Sequence, residues 1–289
     1  MRYFFNKKQG WSLMELMISL VITSVIILAS ISLLLRYEHH HQQQQVELQL
    51  TSQLKLAEHL LRQQIMSAGT IGCENLDNIN IHKNTIQGYT VGKTNLPLFL
   101  QNQGTPEQDI LRVNKAIEPA SYLAMTMTTV SAPLYVIGKQ TFKLNDLAAI
   151  SDCQQGDLFS ITGVENGLIH HSPFNQIYAA NSQVALWEDN SYFISDTKRK
   201  NSTGLEIYGL YVLDPVIDKK QELVEDIVDM KINYATSPKP QDFLDAAQVQ
   251  NWRNIKIVKI SLTAKEYLLH QTISKQDIFF VALRNRLET

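Results

Sequence analysis

The sequence is notable first for what residues 16–35 lack. This run of 20 residues contains no charged residue, no glycine and no proline. With no helix breaker it predicts a continuous helix, and a helix of that length spans roughly 30 Å, the thickness of a bilayer's hydrocarbon core. The whole chain also lacks an excess of basic residues, since its formal net charge is −2. That charge gives no sign of a nucleic-acid partner.

Catalytic and cofactor motifs are absent as well. The sequence contains no glycine-rich dinucleotide or P-loop motif, no HExxH, no GxSxG and no CxxC. His170 and His171 have no acidic or cysteine residue at ligand spacing, and the acidic residues of 222–229 lack the pattern of an EF-hand loop. The sequence therefore predicts a protein that is not an enzyme and that has no metal site and no cofactor.

The segment in front of the apolar run is basic. Residues 1–9 hold three basic residues and no acidic one, so we expect that end to stay cytoplasmic while the rest of the chain crosses the membrane. A secretory signal peptide would have a shorter apolar stretch that ends in small residues. An ordinary signal anchor explains neither Gly10 nor Glu15, whose carboxylate is costly at the entrance to hydrocarbon.

Beyond the apolar run, residues 36–45 are polar and rich in histidine and glutamine. Three consecutive histidines project around a helix and make a poor ligand set, so we interpret this segment as solvated helix. Apolar residues then recur in steps of three and four, as on one face of a helix. They are Val46, Leu50, Leu54, Ala57, Leu61, Ile65 and Ala68.

These features predict one helix over residues 11–68, because no glycine or proline occurs between Trp11 and Ala68. Residues 11–35 would be transmembrane, and the amphipathic remainder would pack against a globular head. A coiled coil is an alternative, but the stripe covers fewer heptads than a stable coiled coil needs. Gly69 and Gly72 are expected to end the helix.

Residues 69–289 predict a head built mainly of β-strands, rich in β-branched and aromatic residues between polar turns. Residues 279–283 are predicted to form a buried central strand, and residues 241–252 are predicted to form a helix. Residues 223–229 fit a helix or a strand. Three polar stretches, 75–88, 95–108 and 198–204, are predicted to be exposed loops. The other predicted strands are 110–113, 124–130, 158–162, 185–187, 192–194, 205–213, 230–234 and 255–262.

Cys73 and Cys153 are the only cysteines, and both lie far from the apolar run. If the head lies outside the cytoplasm, one disulfide is the natural interpretation. In a cytosolic protein they would be two unrelated buried thiols.

The N-terminal pattern resembles the type IV prepilin class. A basic leader is followed by Gly10, a bulky residue, Glu15 at the fifth position after the glycine, and a long apolar helix. The resemblance implies cleavage between Gly10 and Trp11, and N-methylation of Trp11, which stands where most members have phenylalanine. It also implies that Glu15 pairs with the N-terminal amine of a neighbouring subunit during assembly.

Segments of the head resemble one branch of that class, the PilW-type minor pilins. They are residues 67–73, 151–153, 156–159, 222–227 and 230–234, Trp252 with 258–262, and residues 280–286. This resemblance implies a Cys73–Cys153 disulfide that ties the end of the helix to a strand. Closing a loop of ~80 residues would stabilise the folded state by several kcal/mol in the chain-entropy model. The expected fold class is α+β: a pilin-like long N-terminal helix packed on a mainly antiparallel β head.

The predicted organisation is a cleaved leader at 1–10, a helix at 11–68 and a periplasmic head at 69–289. The resemblance implies a minor pilin of the bacterial inner membrane that joins a minor-pilin priming complex and later occupies the pilus tip. Expected partners are the prepilin peptidase, other minor pilins, the major pilin, a large tip adhesin and membrane lipid. A J-type pseudopilin of type II secretion is the alternative. A single-pass membrane-anchored periplasmic enzyme or receptor is a third hypothesis, for which Gly10 and Glu15 would be accidental.

Overall fold

A long helix, α1, opens the part of the chain that the structure describes. This computed structural model describes residues 13–71, 74–75, 79–81, 98–100, 109–201, 204–214, 219–239, 242–249, 254–268 and 271–283. Helix α1 spans Leu13–Met66 without interruption, as the absence of glycine and proline predicts. A turn follows it, in which Gly69 has φ 72° and donates its N–H to the carbonyl oxygen of Asn114 at 2.7 Å.

By its contacts the chain divides into two compact units, Met1–Gln49 and Leu50–Thr289, and the boundary falls inside α1. The described residues of the first unit are helix. The second unit holds the rest of α1 and the β-strands of the head.

Sixteen strands follow α1 in the described residues. The first eight are β1 Thr70–Ile71, β2 Glu74–Asn75, β3 Ile79–Ile81, β4 Leu98–Leu100, β5 Leu111–Ala116, β6 Ser121–Leu123, β7 Leu134–Ile137 and β8 Leu147–Ser151. The others are β9 Gly156–Glu165, β10 Leu168–His171, β11 Gln183–Lys200, β12 Glu206–Asp214, β13 Lys219–Glu225, β14 Ile227–Ala235, β15 Ile257–Leu268 and β16 Gln271–Ala282.

Antiparallel pairing dominates the head. Of the described strand pairs only β3 and β9 are parallel. The predicted α+β class, a long N-terminal helix with a mostly antiparallel β head, is confirmed.

Six strands pair in a closed ring at the centre of the head. The order runs from the start of β11 through β6, β7, β10, β9 and β8 and back to β11, and each pair is antiparallel. Closure leaves no free edge in this small barrel. Its interior is apolar, with Phe159, Phe174 and Tyr178 among its largest buried side chains. The Tyr178 hydroxyl donates to the buried carboxylate of Asp157 at 2.9 Å.

Strand β11 connects the barrel to the rest of the head. Its first residues pair with β6 and β8, its middle with β5 and its end with β12. The sequence predicts two strands here, 185–187 and 192–194, because a polar stretch separates them. The structure has one strand because Arg112 on β5 donates from Nε to the buried carboxylate of Asp189 at 2.6 Å, so the central acid is accommodated inside the sheet.

The C-terminal sheet consists of β14, β15 and β16 in that order. Side chains alternate between its two faces. One face is buried, and it carries Met230, Ile232 and Tyr234 of β14, Val258, Ile260 and Leu262 of β15, and Phe279 and Val281 of β16.

Three sequence predictions for the head are wrong. Residues 124–130 form an irregular loop with bends between β6 and β7 rather than a strand. Residues 279–283 were expected to form a buried central strand, but they belong mostly to β16, which has one neighbour among the described strands and exposes Phe280. Within 241–252 the described residues form no α-helix, and they include a short 3-10 helix, Ala246–Gln248, and a bridge between Leu244 and Tyr234.

Strands also occur inside stretches that were predicted to be loops. Strand β3 lies within 75–88 and β4 within 95–108, while β11 extends through Lys200. His170 and His171 lie in β10, and the His171 ring stacks on Phe174 with 3.8 Å between ring centroids.

Candidate assembly site

The first half of α1 exposes its apolar side chains. Those of residues 13–35 are exposed on every side of the helix, from 49% for Ile31 to 80% for Leu13. Among the described helices α1 is the one long and apolar enough to cross a membrane. A helix that is apolar all round is typical of a segment surrounded by lipid or by other apolar helices.

The hydroxyl groups in this half are satisfied within the helix. Thr23 donates to the carbonyl oxygen of Ser19 at 2.7 Å, and Ser30 donates to that of Ile26 at 2.8 Å. Ser19, Ser24 and Ser32 make equivalent bonds one turn back, at 2.7 to 2.9 Å. Because an unbonded hydroxyl is costly in hydrocarbon, these bonds make the segment compatible with an apolar environment.

Glu15 lies in the first turn of α1 as the structure describes it, at the start of the exposed apolar surface. A carboxylate there interacts favourably with the positive end of the helix dipole. Gly10 and Trp11 lie outside the described residues, so the cleavage site and its methylation stay predictions.

The second half of α1 buries one stripe and carries charged groups beside it. Leu50, Leu54, Ala57, Leu61 and Ile65 are at most 3% exposed, and they follow the predicted periodicity. The sequence prediction concerned apolar residues only, but polar contacts also link this half to β16.

These polar contacts form a chain of ion pairs. Arg62 contacts Glu58 at 2.6 Å, Glu58 contacts Lys55 at 2.8 Å, and Lys55 contacts Asp277 of β16 at 3.0 Å. The pKa of Glu58 is lowered by the hydrogen bond from Arg62 and then by that from Lys55, so Glu58 stays ionised. The pKa of Lys55 is raised by its hydrogen bonds to Glu58 and Asp277.

Further contacts extend along the same side. The guanidinium of Arg62 donates to the carbonyl oxygen of Phe280 at 2.8 Å and lies 5.4 Å from the ring centroid of Phe279. Lys275 donates to the Thr51 hydroxyl at 3.0 Å. The second half of α1 is therefore held to β16 by charge as well as by apolar burial, which the sequence analysis missed because the partners lie more than 200 residues apart in the chain.

Cys153 lies in the turn between β8 and β9, with φ 71°, and its N–H donates to the Ser151 hydroxyl at 3.2 Å. Cys73 lies outside the described residues. The Cys73–Cys153 bridge therefore stays a prediction. Groups of three or more histidine, cysteine, aspartate or glutamate residues placed to hold a metal do not occur in the part of the chain that the structure describes.

The chain was compared with known proteins. Residues 191–277 match the family model described as type IV pilus-assembly protein W, PilW. The match supports a PilW-type type IV pilus protein. The resemblance predicted from the sequence is thereby confirmed. No curated protein and no solved structure matches the chain.

The PilW match covers a defined part of the head. It begins in the middle of β11, continues through β12 to β15, and ends at Asp277 in β16. It thus includes most of the C-terminal sheet and Asp277, the acidic residue that contacts α1. A PilW-type protein belongs to pilus assembly, which implies contacts with other pilus components, and the single apolar helix suggests that it is anchored in a membrane.

Proposed function

We propose that this chain is a minor pilin that helps to initiate a type IV pilus as part of a minor-pilin priming complex. The observation that carries the proposal is the combination of the PilW match in the head with a helix whose residues 16–35 expose only apolar and internally bonded side chains. Such a surface needs lipid before assembly and neighbouring apolar helices afterwards. The role is structural and involves no catalysis.

In this proposal the leader 1–10 stays in the cytoplasm until the prepilin peptidase cuts between Gly10 and Trp11 and methylates Trp11. The helix then holds the subunit in the inner membrane with the head in the periplasm, and the Cys73–Cys153 bridge forms there. Other minor pilins, the major pilin and a large tip adhesin would be its assembly partners, and the subunit would end at the pilus tip.

The deciding experiment is intact-mass analysis of the full chain expressed with and without the prepilin peptidase. The expected product with the peptidase lacks residues 1–10 and carries one added methyl group on Trp11. A Gly10→Val variant, which changes the residue before the cut, should keep its leader. An intact leader in the presence of active peptidase would overturn the proposal.

Glu15 provides a second test, which concerns assembly. Removing its carboxylate leaves an N-terminal amine unpaired in an apolar core, and a buried charge there costs about 2.5–3.5 kcal/mol. Glu15→Ala should therefore be processed normally but enter filaments or the priming complex one to two orders of magnitude less efficiently, at roughly tenfold per 1.4 kcal/mol. Glu38→Ala, on the same helix beyond the apolar run, is the matched control. Equal incorporation of the two variants would contradict the role of Glu15.

A further inference from the structure

The edge strands of the head differ in whether their open side is blocked. A strand with one neighbour leaves a row of N–H and C=O groups that can pair with another chain, and proteins usually block such edges. Among the described strands, β1 to β4 have one neighbour each but contain only two or three residues. The longer edge strands are β13, β14 and β16.

Two of these three edges are blocked. The open side of β14 is covered by Asp109, whose carboxylate accepts the N–H of Ile232 at 2.8 Å, and by Leu244, which exchanges two 2.8 Å backbone hydrogen bonds with Tyr234. Strand β13 has the sequence KKQELVE, with exposed Lys219 and Lys220, and its register with β12 shifts at a bulge. Charges and bulges both discourage the addition of a strand.

Between Gln276 and Phe279, strand β16 has no bulge, and no described residue outside β15 forms a backbone hydrogen bond with it. Its 12 residues pair with β15 in one continuous register, and they include no proline or glycine. Its charged side chains, Lys275 and Asp277, contact Thr51 and Lys55 of α1 rather than the outer face of the sheet. On that outer face Ile278 is 48% exposed and Phe280 is 51% exposed.

The backbone of β16 shows which groups face outward. The carbonyl oxygen of Phe280 accepts a hydrogen bond from Arg62, so it points away from β15. Because backbone groups alternate along a strand, those of Ile278 and Gln276 point to the same open side. Arg62 occupies the Phe280 end of this edge, and among the described residues no other hydrogen bond occupies the outward backbone groups of Gln276 and Ile278.

Two lysines beside this edge define the charge of a suitable partner. Lys259 lies opposite Phe280 and Lys265 opposite Ser274, so both project from the face that carries Ile278. Neither forms an ion pair with a residue in the described part of the chain, although Lys259 Nζ lies 5.8 Å from the ring centroid of Phe243, which packs on Phe280. Lysine side chains are long enough to reach across a strand to a carboxylate on the next one.

We propose that β16 is the docking edge for an extended segment of a partner protein, which adds to the C-terminal sheet as a further strand. The segment would place apolar side chains beside Ile278 and Phe280 and carboxylates near Lys259 or Lys265. Main-chain hydrogen bonds would supply affinity, and the alternating apolar and acidic side chains would supply specificity. The proposal stands on the geometry of the sheet and does not require that the assembly be a pilus.

The test uses the full chain in detergent micelles and three synthetic octapeptides. One alternates valine and glutamate, the second alternates valine and lysine, and the third is the acidic peptide with alternate amides N-methylated. Amide hydrogen exchange is followed at Gln276 and Ile278 by NMR. The acidic peptide should slow exchange at both amides at least tenfold at saturation, and it should bind at least tenfold more tightly than the lysine peptide. The N-methylated peptide should give no protection.

Two variants with changes at edge strands complete the design. Ile278→Asp should abolish protection by the acidic peptide, while Gln221→Asp on β13 should leave it unchanged, with both melting temperatures measured to confirm folding. The proposal is overturned if the three peptides protect Gln276 and Ile278 equally or not at all. It is also overturned if these amides are already protected without peptide, because a segment of the chain itself would then cover the edge.

Discussion

The two halves of α1 share one backbone conformation and differ in what surrounds their apolar side chains. In the first half, Leu28 is 65% exposed and no residue of the apolar run is buried. In the second half, Leu54 and Leu61 are at most 3% exposed, and most of the exposed side chains are polar, although Leu56 is 47% exposed. Leucine side chains are therefore available to contact lipid or other helices in the first half, whereas in the second half they are buried and stabilise the head.

The two halves also differ in where their polar side chains form hydrogen bonds. In the first half the hydroxyl groups bond back to the helix itself, as Thr23 does to Ser19. In the second half the polar groups reach to the head, as Lys55 does to Asp277. A helix whose polar groups are bonded within the helix can change its surroundings without losing hydrogen bonds. A helix that is bonded to a sheet loses those bonds when it separates from the sheet.

Truncating one leucine in each half gives the largest test of this difference. Leu61→Ala should lower the free energy of unfolding of the head by about 2–5 kcal/mol, because it leaves a cavity in a fully buried site. Leu28→Ala should change it by less than about 0.5 kcal/mol. Denaturant unfolding in detergent, followed by tryptophan fluorescence, measures both. Similar losses for the two variants would remove the distinction between the halves.

Placing a charge in each half tests the membrane side of the comparison. Ile26→Lys puts an ammonium in the apolar run at a cost of about 2.5–3.5 kcal/mol in a bilayer, so the fraction retained in membranes should fall. Leu56→Lys, at a position 47% exposed in the second half, should leave retention unchanged. Membrane fractionation and alkaline extraction provide the measurement. If Ile26→Lys instead lowered the unfolding free energy of the head, the first half would not be independent of it.

The smallest effect on stability is expected from a change at Glu58, which tests the ion pairs of the second half. Its folded pKa lies below the ordinary value of 4.5, so the unfolded chain binds a proton first as the pH falls. The stability that Glu58 contributes is present above pH 4.5 and is lost as the pH falls through the lower folded pKa.

Glu58→Gln should therefore cost up to about 1 kcal/mol at neutral pH and show a weaker loss of stability on acidification. Unfolding curves at pH 7, 4 and 3 measure this against Glu47→Gln, which lies earlier on the same helix. An unchanged pH dependence in Glu58→Gln would show that the ion pairs with Arg62 and Lys55 do not stabilise the head.

Sequence reasoning succeeded where the controlling interactions are local. The apolar run, the absence of helix breakers and the stripe from Leu50 to Ile65 predicted α1 and its buried face. Alternation predicted a strand within β14, and enrichment in β-branched and aromatic residues predicted strands within β9 and β12. The pattern at Gly10 and Glu15 predicted the pilus family, which the match in the head supports independently.

The sequence predictions were wrong where a partner far away in the chain determines whether a residue fits in a strand. Polar residues at 188–191 suggested a break in β11, but Arg112, 77 residues earlier, pairs with Asp189 and allows the strand to continue. The apolar stretch 279–283 suggested a central strand, yet β16 lies at an edge. A run of apolar residues indicates that a strand has apolar surroundings on its faces, and it carries no information on how many strands lie beside it.

The sequence by itself determined the long helix, its membrane-compatible half and the α+β class, because helix periodicity and apolar length act over a few turns. Only the tertiary structure decided that six strands close into a barrel, that α1 is tied to β16 by Lys55 and Arg62, and that β16 has one neighbour among the described strands. Strand neighbours are chosen by pairing between segments far apart in the chain, where the free energy depends on which partners meet rather than on the pattern of either one.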